Sequence, residues 1–342
     1  MGGALVARAL AAPQSALALD PAGWTALLTA ARAEQLLGTL AHRLDGLAVP
    51  DPVRPILTDA KEHALQQRRA ALWEAEMARR ALAPLGLPVI LLKGTAYAAA
   101  GLAAGQGRAI GDLDLLVPSD RLADAEAALL ANGWEWVKTD PYDDAYYRDH
   151  MHELPPLIHR DRDRMADVHH TILPPTARPK PDAAALITDA VPLGEGVAVL
   201  SPADMICHAA AHLFADGDLS GGLRNLWDID RLCRDFVDDG PDFFFDLMIR
   251  ADRHGLLRPV NRALRLSAHL FATPVKIYDA PRPIAAAEAA ADRAFLRRLL
   301  ARDGWGRPTR PATRLGFYVR SHWIRMPPAM LAKHLWVKWR RI

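Results

Sequence analysis

Cysteine is nearly absent, with only Cys207 and Cys233 in 342 residues. Both lie in apolar helical patterns, so a disulfide framework is excluded and buried thiols in a reducing, cytoplasmic compartment are expected. No run of about 18 apolar residues occurs, which argues against a transmembrane helix. The Ala-rich start lacks a basic stretch and is broken by Pro13, Gln14 and Ser15, so it reads as mature protein rather than a signal peptide. Internal repeats and low-complexity tracts are also missing. Acidic residues are absent from Arg307 to Ile342, where nine basic ones stand, leaving a charge of −7 on the rest of a chain whose net charge is +2. That polarity calls for an acidic counterpart: nucleic acid, a membrane surface, or an acidic face of the same fold.

What is present is a globular balance, 51% hydrophobic and 24% charged, in a chain long enough for two or three domains. Helical periodicity runs from Gly23 to about Leu85, interrupted at Pro50 and Pro52. At Pro88 the period changes. Val89 to Leu92 is a short buried strand that ends at Lys93-Gly94, and Asp112 to Val117 (DLDLLV) is a second strand, followed by a helix from Ser119 to about Asn132. Trp134 to Lys138, His152 to His159 and Met165 to Ile172 are further strand candidates. PPTARPKP (residues 174–181) cannot be helix or central strand and marks the best domain boundary; Ser201-Pro202 then opens a helical region. The expected fold class is α+β: a helical N-terminal region (1–86), a small mixed-sheet core (87–175), and a helical C-terminal domain (183–342) with a basic aromatic tail. In that tail Phe317, Tyr318, Trp323, Trp336 and Trp339 interleave with the basic residues. Docking on the protein itself, with long basic side chains lying along apolar surface, is favoured over an arm for nucleic acid or membrane.

Side chains alternate along a strand, so Asp112 and Asp114 share one face of DLDLL while the leucines between them share the other. Two carboxylates about 6 to 7 Å apart repel each other unless a cation lies between them, and hard oxygen ligands suit Mg²⁺ or Mn²⁺. Lys93, Gly94 and Thr95 sit where a strand turns into a helix, so backbone N–H groups, a hydroxyl and an ammonium can converge on phosphate oxygens, with Arg108 as a further contact. On RMADVHHTI a third carboxylate, Asp167, shares a face with His169, which completes the acidic set of a two-metal phosphoryl-transfer site. His152 is an accessory candidate for orienting a carboxylate or phosphate. A metal-hydrolase grouping of His208, His212, Asp228 and Asp230 lacks the His-Asp dipeptide that would bridge two ions, so these histidines read as structural.

LPVILLKGTAYAAAG, RAIGDLDLLVPSDRLADAEAALLANGW, the HEL at His152 and ADVHH, taken in order, resemble the polymerase beta-like nucleotidyltransferase superfamily, and within it the bacterial branch called NTP transferase family 5. The resemblance covers about Leu87 to Thr171, with weaker similarity through LSPADMICHAAAHLF and LRNLWDIDRL. It implies that Gly94 and Thr95 bind the phosphates of an NTP such as ATP, that Asp112 and Asp114 bind both metals, and that Asp167 binds the catalytic one. The interval from Gly94 to Asp112 is longer than in compact members and holds Tyr97 and Arg108. The expected activity is transfer of a nucleoside monophosphate to an acceptor hydroxyl on a sugar, peptide or protein, with release of pyrophosphate. Alternatives are a catalytically silent, antitoxin-like binding module and an RNA-directed enzyme.

Overall fold

The computed structural model describes residues 2–137, 140–215, 217–237, 240, 242–275, 286–328, 330–331 and 336. Four helices lead: α1 (Gly2–Ala11), α2 (Pro21–Ala33), α3 (Leu37–Arg43) and α4 (Arg54–Leu82). The sheet region follows as β1 (Val89–Leu91), α5 (Lys93–Ala99), β2 (Leu113–Leu116), α6 (Leu122–Ala131), β3 (Trp134–Trp136), α7 (Pro141–His150), β4 (Leu157–His159) and β5 (Met165–His169). Next come α8 (Ala183–Thr188), β6 (Val191–Gly194) and β7 (Val197–Val199), and the chain continues through α9 (Pro202–Ala215), α10 (Gly222–Phe236), α11 (Phe243–Arg253), α12 (Leu257–Phe271), α13 (Ala286–Leu299) and α14 (Pro311–Arg325).

Local chemistry fixes several starts. The Asp20 carboxylate accepts from Gly23 N at 2.7 Å with Pro21 in the first turn of α2, and Ser201 Oγ accepts from Asp204 N at 3.3 Å ahead of α9. Val89, Ile90 and Leu91 are all buried, as a central strand requires. The strand order is β3-β4-β5-β2-β1-β7-β6. β2 runs parallel to β5 and antiparallel to β1, and β1 runs parallel to β7. This is the α+β fold class.

Three details depart from the sequence reading. The proline-rich segment does not end the sheet, because Val197–Val199 returns to pair with β1 and brings Val191–Gly194 with it as the edge. The part of the chain beyond residue 183 is therefore not wholly helical. The strand expected over His152 to His159 is regular only from Leu157; upstream, Glu153 makes an isolated antiparallel bridge to His169. β5 stops at His169 rather than Ile172, and Lys138, the expected end of β3, lies outside the described residues.

The main apolar core runs from Val6 to Phe317 and joins the leading helices, the sheet and the later helices, and Ala71, Ala98 and Ile110 form a small second cluster. The basic segment docks through α14. Phe317 is buried with its ring 4.8 Å from that of Phe295, Arg320 Nη1 donates to Phe214 O at 2.7 Å, and Arg314 pairs with Asp218. Docking does not shield Trp336, which is 56% exposed; Trp339 lies outside the described residues. Cys207 and Cys233 are both buried free thiols, as expected.

Candidate active site

The register of two strands remote in sequence creates the site. Asp114 on β2 is the direct partner of Asp167 on the parallel strand β5, so the two residues stand side by side on strands about 4.8 Å apart along the hydrogen-bonding direction. Asp112 lies two residues upstream at the exposed entry to β2, whereas Asp114 is buried. The antiparallel pairing of β1 with β2 brings in the next group: Leu92 N donates to Asp114 O at 3.0 Å, and Lys93 Nζ donates to Asp114 Oδ1 at 2.6 Å.

Lys93 occupies the left-handed region at φ 49°, a costly conformation for a residue with a Cβ and one that tends to persist where function holds it. Gly94, by contrast, is glycine for reasons of space. A Cβ there would fall on the Arg108 guanidinium, 2.9 Å from its Cζ. Arg108 itself is buried: Nε donates to Asp228 Oδ2 at 3.0 Å, Nη1 donates to Ala109 O at 3.3 Å, and the guanidinium lies 5.6 Å from the Tyr97 ring centre. The interval between Gly94 and Asp112 thus delivers an arginine that underpins the turn from behind. Thr95 is also buried, and its Oγ1 has no hydrogen-bond partner among the described residues.

The carboxylates differ sharply in acidity. Burial would raise Asp114, but the Lys93 ammonium and the His169 hydrogen bond hold it well below the usual carboxylate range. Asp167 is pushed up to about 7, first by burial and then by the charges of Asp114 and Asp112, with Lys93 opposing. Partial desolvation and Asp114 raise Asp112. One ammonium thus faces three crowded carboxylates, the electrostatic setting of a site that accepts further positive charge.

Histidines ring this cluster. His169 Nε2 is 3.0 Å from Asp114 Oδ1, and the His152 and His169 rings are 5.2 Å apart. His208, buried on α9, is pushed down to about 3 by burial and by Lys93. The hydrolase grouping of His208 and His212 with two aspartates does not assemble: Asp228 holds Arg108, and Asp230 accepts from Thr273 at 2.7 Å and Arg234 at 3.0 Å.

A cavity of about 310 Å³ is lined among others by Gln35, His212, Ser220, Arg224 and Arg302, and by none of the three carboxylates. Arg224 lies close enough to Asp112 to oppose the rise in its pKa, and Lys93 and Asp114 both act on His212. A larger cavity of about 790 Å³, lined by Phe214, Arg262 and Arg320, touches none of the carboxylates. Arg224 has no place in the sequence reading, and the His152-Glu153 pair there reads as structural. The Gly-rich SGGLRN opening of α10 was the available signal for Arg224; Glu153 had none beyond its place in HEL.

A model of the family described as an uncharacterised nucleotidyltransferase, NTP transferase family 5, matches residues 20–272. No curated protein and no solved structure matches the chain. With Asp114 and Asp167 adjacent in the sheet and the family match covering most of the molecule, the chain belongs to this nucleotidyltransferase family.

Proposed function

We propose that the protein is a Mg²⁺- or Mn²⁺-dependent nucleotidyltransferase that moves a nucleoside monophosphate from an NTP to an acceptor hydroxyl, releasing pyrophosphate. The observation that carries this reading is the pairing of Asp114 with Asp167, with Asp112 two residues upstream and close enough for its charge to act on both. The donor set fits the cation, since three carboxylates at one point of a sheet supply the hard oxygen ligands that Mg²⁺ and Mn²⁺ take. Asp112 and Asp114 would hold both ions and Asp167 the one nearer the acceptor. Bound there, the ions would stabilise charge on the transferring phosphoryl group and make the hydroxyl a better nucleophile.

The chain's own groups support the rest. Lys93 brings a desolvated ammonium to the carboxylates, and Thr95 offers an unused hydroxyl at the same turn. Arg108 supports Gly94 from below rather than reaching for phosphate, so Arg224 beside the cavity is the better candidate for holding the polyphosphate. The cytoplasm is the expected setting.

Incubation with each NTP, Mg²⁺ and candidate sugars, peptides, proteins and RNA should release pyrophosphate and add a nucleotide mass to one acceptor class. Asp112→Asn and Asp114→Asn should each slow release by about 100-fold or more, equal to about 2.7 kcal/mol of barrier. No pyrophosphate with any NTP would favour the silent binding module, and labelling confined to RNA would favour the RNA-directed reading.

A further inference from the structure

Beside the carboxylates lies a second constellation that phosphoryl transfer does not require. Leu154 N donates to Val168 O and His170 N donates to His152 O, each at 2.9 Å, which clamps Glu153 between them in its bridge to His169. Glu153 Oε2 consequently stands 3.3 Å from His169 Nδ1 and 3.7 Å from His152 Nε2. One ligand atom from each of the three residues lies within 4.8 Å of the other two.

The protonation pattern of His169 makes this arrangement informative. Its side chain is 1% exposed, and Nε2 lies 3.0 Å from Asp114 Oδ1. An ionised carboxylate only accepts, so Nε2 carries the proton and a neutral ring keeps a lone pair on Nδ1. That lone pair faces the Glu153 carboxylate, and Nδ1 has no hydrogen-bond partner. Two acceptors at this distance repel unless a cation lies between them. Buried His152 Nδ1 is likewise without a partner, and the 20% exposure of the His152 side chain leaves a way in.

Donors bonded to one ion at about 2.1 Å with tetrahedral angles stand about 3.4 Å apart, which falls between the two separations observed here. Two imidazoles and a carboxylate suit borderline ions such as Zn²⁺, in contrast to the all-oxygen set of the aspartates. Asp114 would then act as the carboxylate that fixes the tautomer of a ligating histidine.

We propose that His152, Glu153 and His169 form a binding site for a borderline divalent cation of the Zn²⁺ type, with three protein ligands and a fourth position open to water or a substrate oxygen. The site takes different ligands from the Mg²⁺ carboxylates, touches them through the Asp114–His169 hydrogen bond, and does not depend on the transfer reaction.

Co²⁺ is the probe, added to the full-length protein in excess Mg²⁺. One equivalent should bind with the strong visible absorption of four-coordinate Co²⁺ and be displaced by Zn²⁺ but not by Mg²⁺. Glu153→Gln and His152→Ala, checked for unchanged circular dichroism, should each weaken binding by about 100-fold or more, while Asp112→Asn leaves it intact. If either of these two variants misfolds, the other still decides. Absence of the absorption, its survival in the folded variants, displacement by Mg²⁺, or loss in Asp112→Asn would each overturn the assignment. A failed transfer assay with Co²⁺ binding retained would count against the proposed reaction and leave the metal site standing.

Discussion

Gly94, Arg108 and Asp228 form one mechanical unit under the site, with the glycine giving room to a guanidinium that the aspartate holds. Gly94→Ala should therefore lower stability by displacing Arg108, and much of that loss should disappear in an Arg108→Ala background, which a double-mutant cycle by denaturant unfolding would measure. Strict additivity would separate the two residues. Asp228→Asn should cost about 3 kcal/mol or more, because it leaves a buried cation underpaired. A second buried carboxylate governs acid sensitivity. Asp204 is fully buried; Oδ1 accepts from Arg250 Nε and His254 Nε2, each at 2.9 Å, and Oδ2 from Ser201 Oγ at 2.8 Å. Asp182 N donates to His254 Nδ1 at 3.1 Å, which leaves the proton on Nε2 for Asp204. Burial would raise the pKa of Asp204, but these donors outweigh it and depress it. A depressed carboxylate contributes stability above its unfolded value, near pH 3.9, and loses it as the pH falls through the folded value. Asp204→Asn should cost about 2 kcal/mol at neutral pH, discounted from the usual range because Arg250 also pairs with Asp189. The difference between wild type and variant in urea should shrink on acidification; a gap that stays constant with pH would mean that the charge is not the source.

At the scale of elements, α14 accounts for the first half of the basic segment. Its burial rests on few groups, chiefly Phe317 and Ser321, while Leu315, Tyr318, Val319 and Trp323 remain exposed. Arg178 lies over the Trp323 ring at 4.9 Å, and Arg178 N donates to Ile324 O at 3.1 Å, so the proline-rich segment and α14 hold each other. Phe317→Ala should therefore destabilise the protein by about 2 kcal/mol, below the usual range for a central phenylalanine because the site is peripheral. Deleting residues 307–342 should lower the melting temperature more than this single change. A melting temperature unchanged by the deletion would show that the helix adds nothing to the fold.

For the whole molecule, the sheet and the core both ignore the boundary suggested by the prolines. β1 has β2 on one edge and β7 on the other, and the core continues from the first helix to α14. Residues 87–175 expressed alone would leave β1 unpaired on one edge and its apolar contacts uncovered, so they should remain unfolded or aggregate. The full chain should unfold in one main transition seen alike by circular dichroism and tryptophan fluorescence. A folded, monomeric 87–175 fragment would show that this segment is a domain in its own right.

Much of this was legible in the sequence because it depends on near neighbours. DLDLL read as a strand bearing Asp114, although the strand begins only after Asp112, Ser201-Pro202 opened α9, and MADVH read as a strand bearing Asp167 and His169 on a common face. The choice of partners was not legible. Whether Asp167 would meet Asp114 rather than slip by one residue to the other face depended on the register of two parallel strands separated by two helices and two further strands. The helical expectation beyond residue 183 missed β6 and β7 because strands that short carry little periodicity; their identity comes from the open edge of β1. Arg108 looked free for phosphate because sequence shows a charge but not its burial, and the fold spent that charge on Asp228. Composition and spacing determined which chemical groups the protein owns and which face of its own element each one occupies. Tertiary packing decided which groups share a point in space, since burial admits a charge only where an opposite charge or a hydrogen-bond partner arrives from elsewhere in the chain.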